Sequence, residues 1–111
     1  MKTSGIILVI LSCLFFTAAL SAGEQGEAIF KSNGCIFCHK TEGATSGTIP
    51  SLSEVAGAYK GKKERLIQYL KGEADPIINP ERAGTMKRQL EKTKAMSDSD
   101  RTALADFILA N

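Results

Sequence analysis

Apolar positions along the chain fall into two regimes. From Gly5 to Ala22 the sequence GIILVILSCLFFTAALSA is uncharged and almost continuously apolar, whereas beyond it apolar residues recur every three or four positions between charged ones. The second pattern is that of amphipathic helices. It predicts a helix over 24–33 with Ile29 and Phe30 inward, Gly26 one turn before Phe30, and Gly34 as the stop. A short helix is predicted over 51–59 on Leu52, Val55 and Tyr59, and another over 62–71 on Leu66, Ile67 and Leu70, ended by Gly72. Asn79-Pro80-Glu81 reads as a further helix start: a capping Asn, Pro at the first helical position and an acid in the first turn. The last helix is predicted over 98–110, with Leu104, Phe107 and Ile108 inward and Ser97 with Asp100 as a capping box. Residues 41–48 read as a polar loop, and neither a strand nor an internal repeat is visible. The expected fold class is all-α.

The first regime has a different explanation. Lys2 ahead of an apolar centre at Ile6 to Phe16, followed by the small-residue tail Thr17-Ala18-Ala19-Leu20-Ser21-Ala22, has the layout of an export signal. Cleavage after Ala22, Ser21 or Ala19 is compatible with the small-residue rule, and the mature chain is expected to begin near Gly23. The rival is an uncleaved membrane anchor, because 18 uncharged residues just reach spanning length. A lipoprotein reading of Cys13 is disfavoured, since Leu11 stands where a small residue is wanted. The expected division is therefore a signal peptide at 1–22 and one domain at 23–111. With 111 residues in all, 43% apolar, a large multi-domain enzyme is excluded. Ten Gly, three Pro and three Cys also exclude collagen-like, disordered and disulfide-dense chains.

Charge adds little in total and more in distribution. Residues 23–111 sum to +1, but 60–94 carry +5 while 23–59 and 95–111 each carry −2. A basic centre of this kind is either a solvated surface or a docking face. Nucleic acid is not the expected partner, because no helix-turn-helix or RNA-binding signature accompanies the lysines.

A domain this small gains from a staple, and the cysteines supply one. Cys35 and Cys38 stand in Cys35-Ile36-Phe37-Cys38-His39, the CxxCH spacing of covalent haem attachment. Two thiols three positions apart reach the two vinyl groups on one porphyrin edge, and the imidazole that follows turns beneath the iron. A zinc site needs further ligands, but His39 is the only His and no other Cys lies beyond residue 22. A thioredoxin-like CxxC wants a βαβ setting that the pattern lacks. The lone His also excludes bis-histidine ligation, leaving Met, Lys or an open position opposite His39. Met86 and Met96 both lie far enough downstream to approach the other face of a haem. Met96 directly precedes the Ser97 cap, where packing on the last helix explains it, so Met86 is favoured as the sixth ligand. Thioether ligation raises the reduction potential relative to a second imidazole.

From residue 23 onward the chain resembles the small bacterial class I cytochromes c. The resemblance is carried by Gly26 and Phe30, CxxCH at 35–39, Pro50-Ser51-Leu52, Met86 with its downstream Gln89-Leu90, and the closing Leu104-Ala105-Asp106-Phe107-Ile108-Leu109. It implies first and last helices that cross where Gly26 admits Phe107, a Pro50 carbonyl that accepts the His39 Nδ1 hydrogen, and Leu52 against the haem face. Many relatives have Pro after the ligand Met, where this chain has Lys87-Arg88. The implied function is a soluble, monomeric periplasmic carrier with one covalent haem c, moving single electrons between respiratory partners such as a quinol-oxidising complex and a terminal oxidase or reductase. Lys40, Lys87 and Arg88 are candidates to steer an acidic partner. Tyr59 and Tyr69 are either haem-propionate donors or, preferably, ordinary core tyrosines. The alternative function is a sensor or peroxidase-like protein with an open sixth position, disfavoured because no distal acid-base His exists.

Overall fold

The structure is a computed structural model that describes residues 21–41 and 49–111. The export segment at 1–20 and most of the polar loop, 42–48, lie outside the described residues. Five helices follow in order: α1 (Ala22–Ser32), α2 (Leu52–Ala58), α3 (Lys63–Leu70), α4 (Gly84–Lys94) and α5 (Asp98–Leu109), with single 3-10 turns at Cys35–Phe37 and Pro80–Arg82. No strand occurs among the described residues, and the fold is all-α as expected. None of the described helices is long and apolar enough to cross a membrane.

Helix ends follow the local chemistry. α1 starts two residues before the expected position, because Ser21 Oγ accepts from the Glu24 amide at 3.3 Å. Its C-cap is Asn33, and Gly34 follows at φ +75°, a left-handed turn that opens directly into the cysteine motif. α2 opens on a complete capping box: Ser51 Oγ accepts from Glu54 N at 3.2 Å, and Glu54 Oε2 accepts from Ser51 N at 2.9 Å. α3 stops at Gly72 as its sequence suggests, with Gly72 N donating to Tyr69 O and Glu73 N to Gln68 O, the paired bonds of a Schellman end.

Two expectations about ends need correction. Asn79 does not cap with its side chain; it takes a left-handed backbone conformation at φ 44°, which Asn tolerates better than most residues. Pro80 accordingly opens only one 3-10 turn, and the helix proper begins at Gly84. At α5, Ser97 Oγ does accept from Asp100 N at 3.1 Å, but the Asp100 carboxylate takes a bond from Gln25 Nε2 at 2.9 Å, tying the last helix to the first.

The core joins every helix: Phe30 from α1, Leu52 from α2, Leu66, Tyr69 and Leu70 from α3, Leu90 from α4, and Leu104, Ala105 and Ile108 from α5, with Tyr59 after α2. α1 and α5 form the tightest crossing. A Cβ on Gly26 would run into the Ala103 carbonyl oxygen and come within 2.6 Å of Phe107 Cβ, so only glycine permits this approach. One turn on, the rings of Phe30 and Phe107 meet at 5.3 Å with a 52° tilt. Lys63 and Asp106 add an ion pair between α3 and α5 at 2.6 Å, partly exposed and therefore of small energetic weight.

Candidate functional site

The cysteine motif begins where the left-handed Gly34 turns the chain away from α1. Residues 35–37 form a 3-10 turn, a geometry in which positions i and i+3 eclipse, so Cys35 and Cys38 fall on the same side. Cys38 N and His39 N both donate to Cys35 O, at 3.2 and 2.9 Å, which closes the turn. Both thiols are free rather than joined to each other. Burial pushes the Cys35 thiol up, with the Lys92 ammonium pulling the other way. That direction is opposite to the thiol of a redox-active CxxC enzyme, which needs a stabilised thiolate. Between the cysteines, Ile36 and Phe37 face outward, Phe37 with 87% of its surface exposed.

His39 is half-buried, and its Nδ1 lies 2.9 Å from Pro50 O. A carbonyl only accepts, so Nδ1 carries the proton and Nε2 keeps its lone pair free for a metal. The bond spans the polar loop, and Leu52 N reinforces it by donating to Lys40 O at 2.8 Å. Ser51, 0% exposed, and Leu52 continue from Pro50 into the core, so the chain that orients the imidazole is itself anchored.

Met86 and Met96 are both partly buried and packed against the core. Their settings differ. Met86, Leu90 and Thr93 fall at i, i+4 and i+7 on α4, and Leu90 and Thr93 are buried, so Met86 shares the inward face of that helix. Met96 lies in the turn between α4 and α5, its amide donating to Thr93 O and its carbonyl accepting from Arg101 at 2.7 Å.

Tyr59 serves the fold: its hydroxyl accepts from Ile77 N at 3.2 Å and pins the segment after α3. The Tyr69 phenol is pushed up to about 12 by burial, with Tyr59 adding to the shift. Two contributors escaped the sequence reading. Ser51-x-x-Glu54 is a capping-box signature in plain view. Arg101 is the second; the sign was a charged residue three and seven positions before Leu104 and Ile108, on the apolar face of the last helix.

The donor set fits a covalently attached haem: two unpaired thiols on one side of a single turn, and an imidazole whose second nitrogen is already committed to a carbonyl. Comparison with curated protein sequences returned no match. The chain matches the Cytochrome c family over residues 23–111, a family defined by covalent haem c and electron transfer. On that match, and on the CxxCH turn that carries the cofactor's attachment chemistry, the chain belongs to the cytochrome c family.

Proposed function

We propose that this protein is a one-electron carrier whose haem is bonded to Cys35 and Cys38 and ligated by His39 on one face and Met86 on the other. The observation that carries the reading is the His39 Nδ1–H···O=C Pro50 bond at 2.9 Å, because it fixes the ring and leaves Nε2 free as a ligand. When bound, the haem supplies an iron that takes up and gives back a single electron. The residues supply the setting. Pro50 fixes the imidazole ring, Leu52, buried in the core at the start of α2, would pack against the bound haem, and Met86 faces inward from α4 beside Leu90. A thioether ligand favours the reduced state, and a filled sixth position leaves no room for a substrate. Nothing in the proposed role requires an acid, base or nucleophile from the chain.

Partners are a redox donor and acceptor, for which a quinol-oxidising complex and a terminal oxidase or reductase are the proposed classes. The proposed location is the periplasm, with residues 1–22 removed as a signal peptide. Intact mass of the exported protein tests signal removal and haem attachment together: the expected species is the polypeptide from about Gly23 plus one haem, and a mass equal to the amino acids alone rejects the reading.

The ligand assignment has its own test. Met86→Ala is expected to abolish the weak far-red band of thioether bound to ferric iron, and Met96→Ala to leave it. Carbon monoxide added to the reduced protein at neutral pH is expected to change the spectrum of Met86→Ala at once and that of the wild type scarcely. An immediate change in the wild type would instead support an open-site sensor or peroxidase-like protein.

A further inference from the structure

Met86 sits near the N-terminal end of α4, whereas the bonds that hold this helix to its neighbours gather at the other end. Thr93 Oγ1 donates to Leu70 O at the end of α3, at 2.6 Å, and Lys92 Nζ donates to Asn33 O at the end of α1, at 3.0 Å. From α5, the guanidinium of Arg101 reaches back across the turn: Nε donates to Thr93 O at 3.0 Å, and one terminal nitrogen to both Lys94 O at 3.0 Å and Met96 O at 2.7 Å. Its other terminal nitrogen binds Asp98 Oδ1 at 2.8 Å. The first turn of α4 has no comparable support; Ala83 offers no capping side chain, and Gly84, Thr85, Lys87 and Arg88 are exposed.

Arg101 is only 4% exposed and occupies the apolar face of α5. Burying a charge there is unfavourable unless its donors are satisfied, and here they are satisfied by the carbonyls of Thr93 and Lys94 in the last turn of α4 and of Met96 in the turn that follows. The planar fork reaches three carbonyls at once, which a lysine ammonium on its flexible stem does not. The partial negative charge of a helix C-terminus adds to the attraction. Because a helix is stiff and rises about 1.5 Å per residue, Met86 lies roughly 10 Å from Thr93, and a small tilt at the clamp displaces it.

We propose that Arg101 is a positioning residue for the sixth ligand: by clamping the C-terminal end of α4 it holds Met86 on the iron. The proposal rests on Met86 being that ligand. Imidazole binds to ferric iron only when the methionine is off, so its apparent affinity reports the fraction of molecules with the ligand displaced. In the ferric holoprotein, Arg101→Leu is expected to bind imidazole at least about tenfold more tightly than the wild type, with Arg101→Lys between the two. Phe107→Leu, which weakens the contact with Phe30 and leaves the clamp intact, serves as the control for lost stability. It is expected to lower the denaturation midpoint without a comparable gain in imidazole affinity. Should Arg101→Leu fail to fold, Thr93→Val, which removes the bond to Leu70, is expected to shift the affinity in the same direction. An affinity within about twofold of wild type, or an equal gain in Phe107→Leu, overturns the proposal. Met86→Ala run in parallel separates the two failures. If it keeps the far-red band, the ligand assignment falls; if it loses the band while the Arg101 variant binds imidazole normally, only the role of Arg101 falls.

Discussion

At the scale of single residues, orientation outweighs identity. His39 is the only histidine in the chain, yet what suits it to the proposed ligand role is the carbonyl of Pro50, which accepts a hydrogen bond from one ring nitrogen and leaves the other available. Tyr69 illustrates how burial sets titration. Its phenol is pushed up to about 12, above the value of 10.0 for an unperturbed tyrosine, first by desolvation and then by Tyr59. A group whose folded value is raised contributes stability that is complete below the unfolded value and is lost as pH rises through the folded one. Stability of the holoprotein is therefore expected to fall between about pH 10 and 12, and Tyr69→Phe to flatten that fall in denaturation midpoints measured across the window.

At the scale of elements, two junctions carry different energetics. The start of α2 depends on Ser51, whose hydroxyl accepts from Glu54 N and also contacts Ser53 Oγ at 3.0 Å. Ser51→Ala is expected to cost about 1 kcal/mol in denaturant titration with an unchanged slope. The α1–α5 crossing is less forgiving. A side chain at Gly26 collides with the Ala103 carbonyl, and backbone does not move aside as a flexible side chain does. Gly26→Val is expected to cost about 3 kcal/mol or more, read from the same titration, because the two helices must separate. The expected helices were readable because apolar spacing and Gly stops are local signals. The start of α4 was not: Asn79 and Pro80 supply every local cue for a helix, but a left-handed backbone at Asn79 confines the cue to one 3-10 turn.

For the whole molecule, charge distribution matters more than net charge. Residues 60–94 hold a local +5 within a domain that sums to +1, and Lys87 and Arg88 flank the proposed ligand. If this region steers encounters, oxidation of the reduced protein by anionic ferricyanide is expected to slow as ionic strength rises from about 10 mM to 0.15 M. Neutralising Lys87 and Arg88 together to Gln is expected to flatten that dependence, measured by stopped-flow absorbance.

Local chemistry along the chain was enough to determine the helical class, the CxxCH motif at Cys35, Cys38 and His39 with the covalent haem it signals, and the two methionines, Met86 and Met96, that it offers as candidate ligands. These are properties of spacing, and spacing is visible in one dimension. Tertiary structure alone decided the rest. Asp100 meets Gln25 across seventy-five positions, and Arg101 folds back from α5 onto the carbonyls of Thr93, Lys94 and Met96 at the end of α4. A polar group's partner in such cases is chosen by which backbone ends are brought together and shut off from water, and that choice is made by packing rather than by sequence neighbourhood.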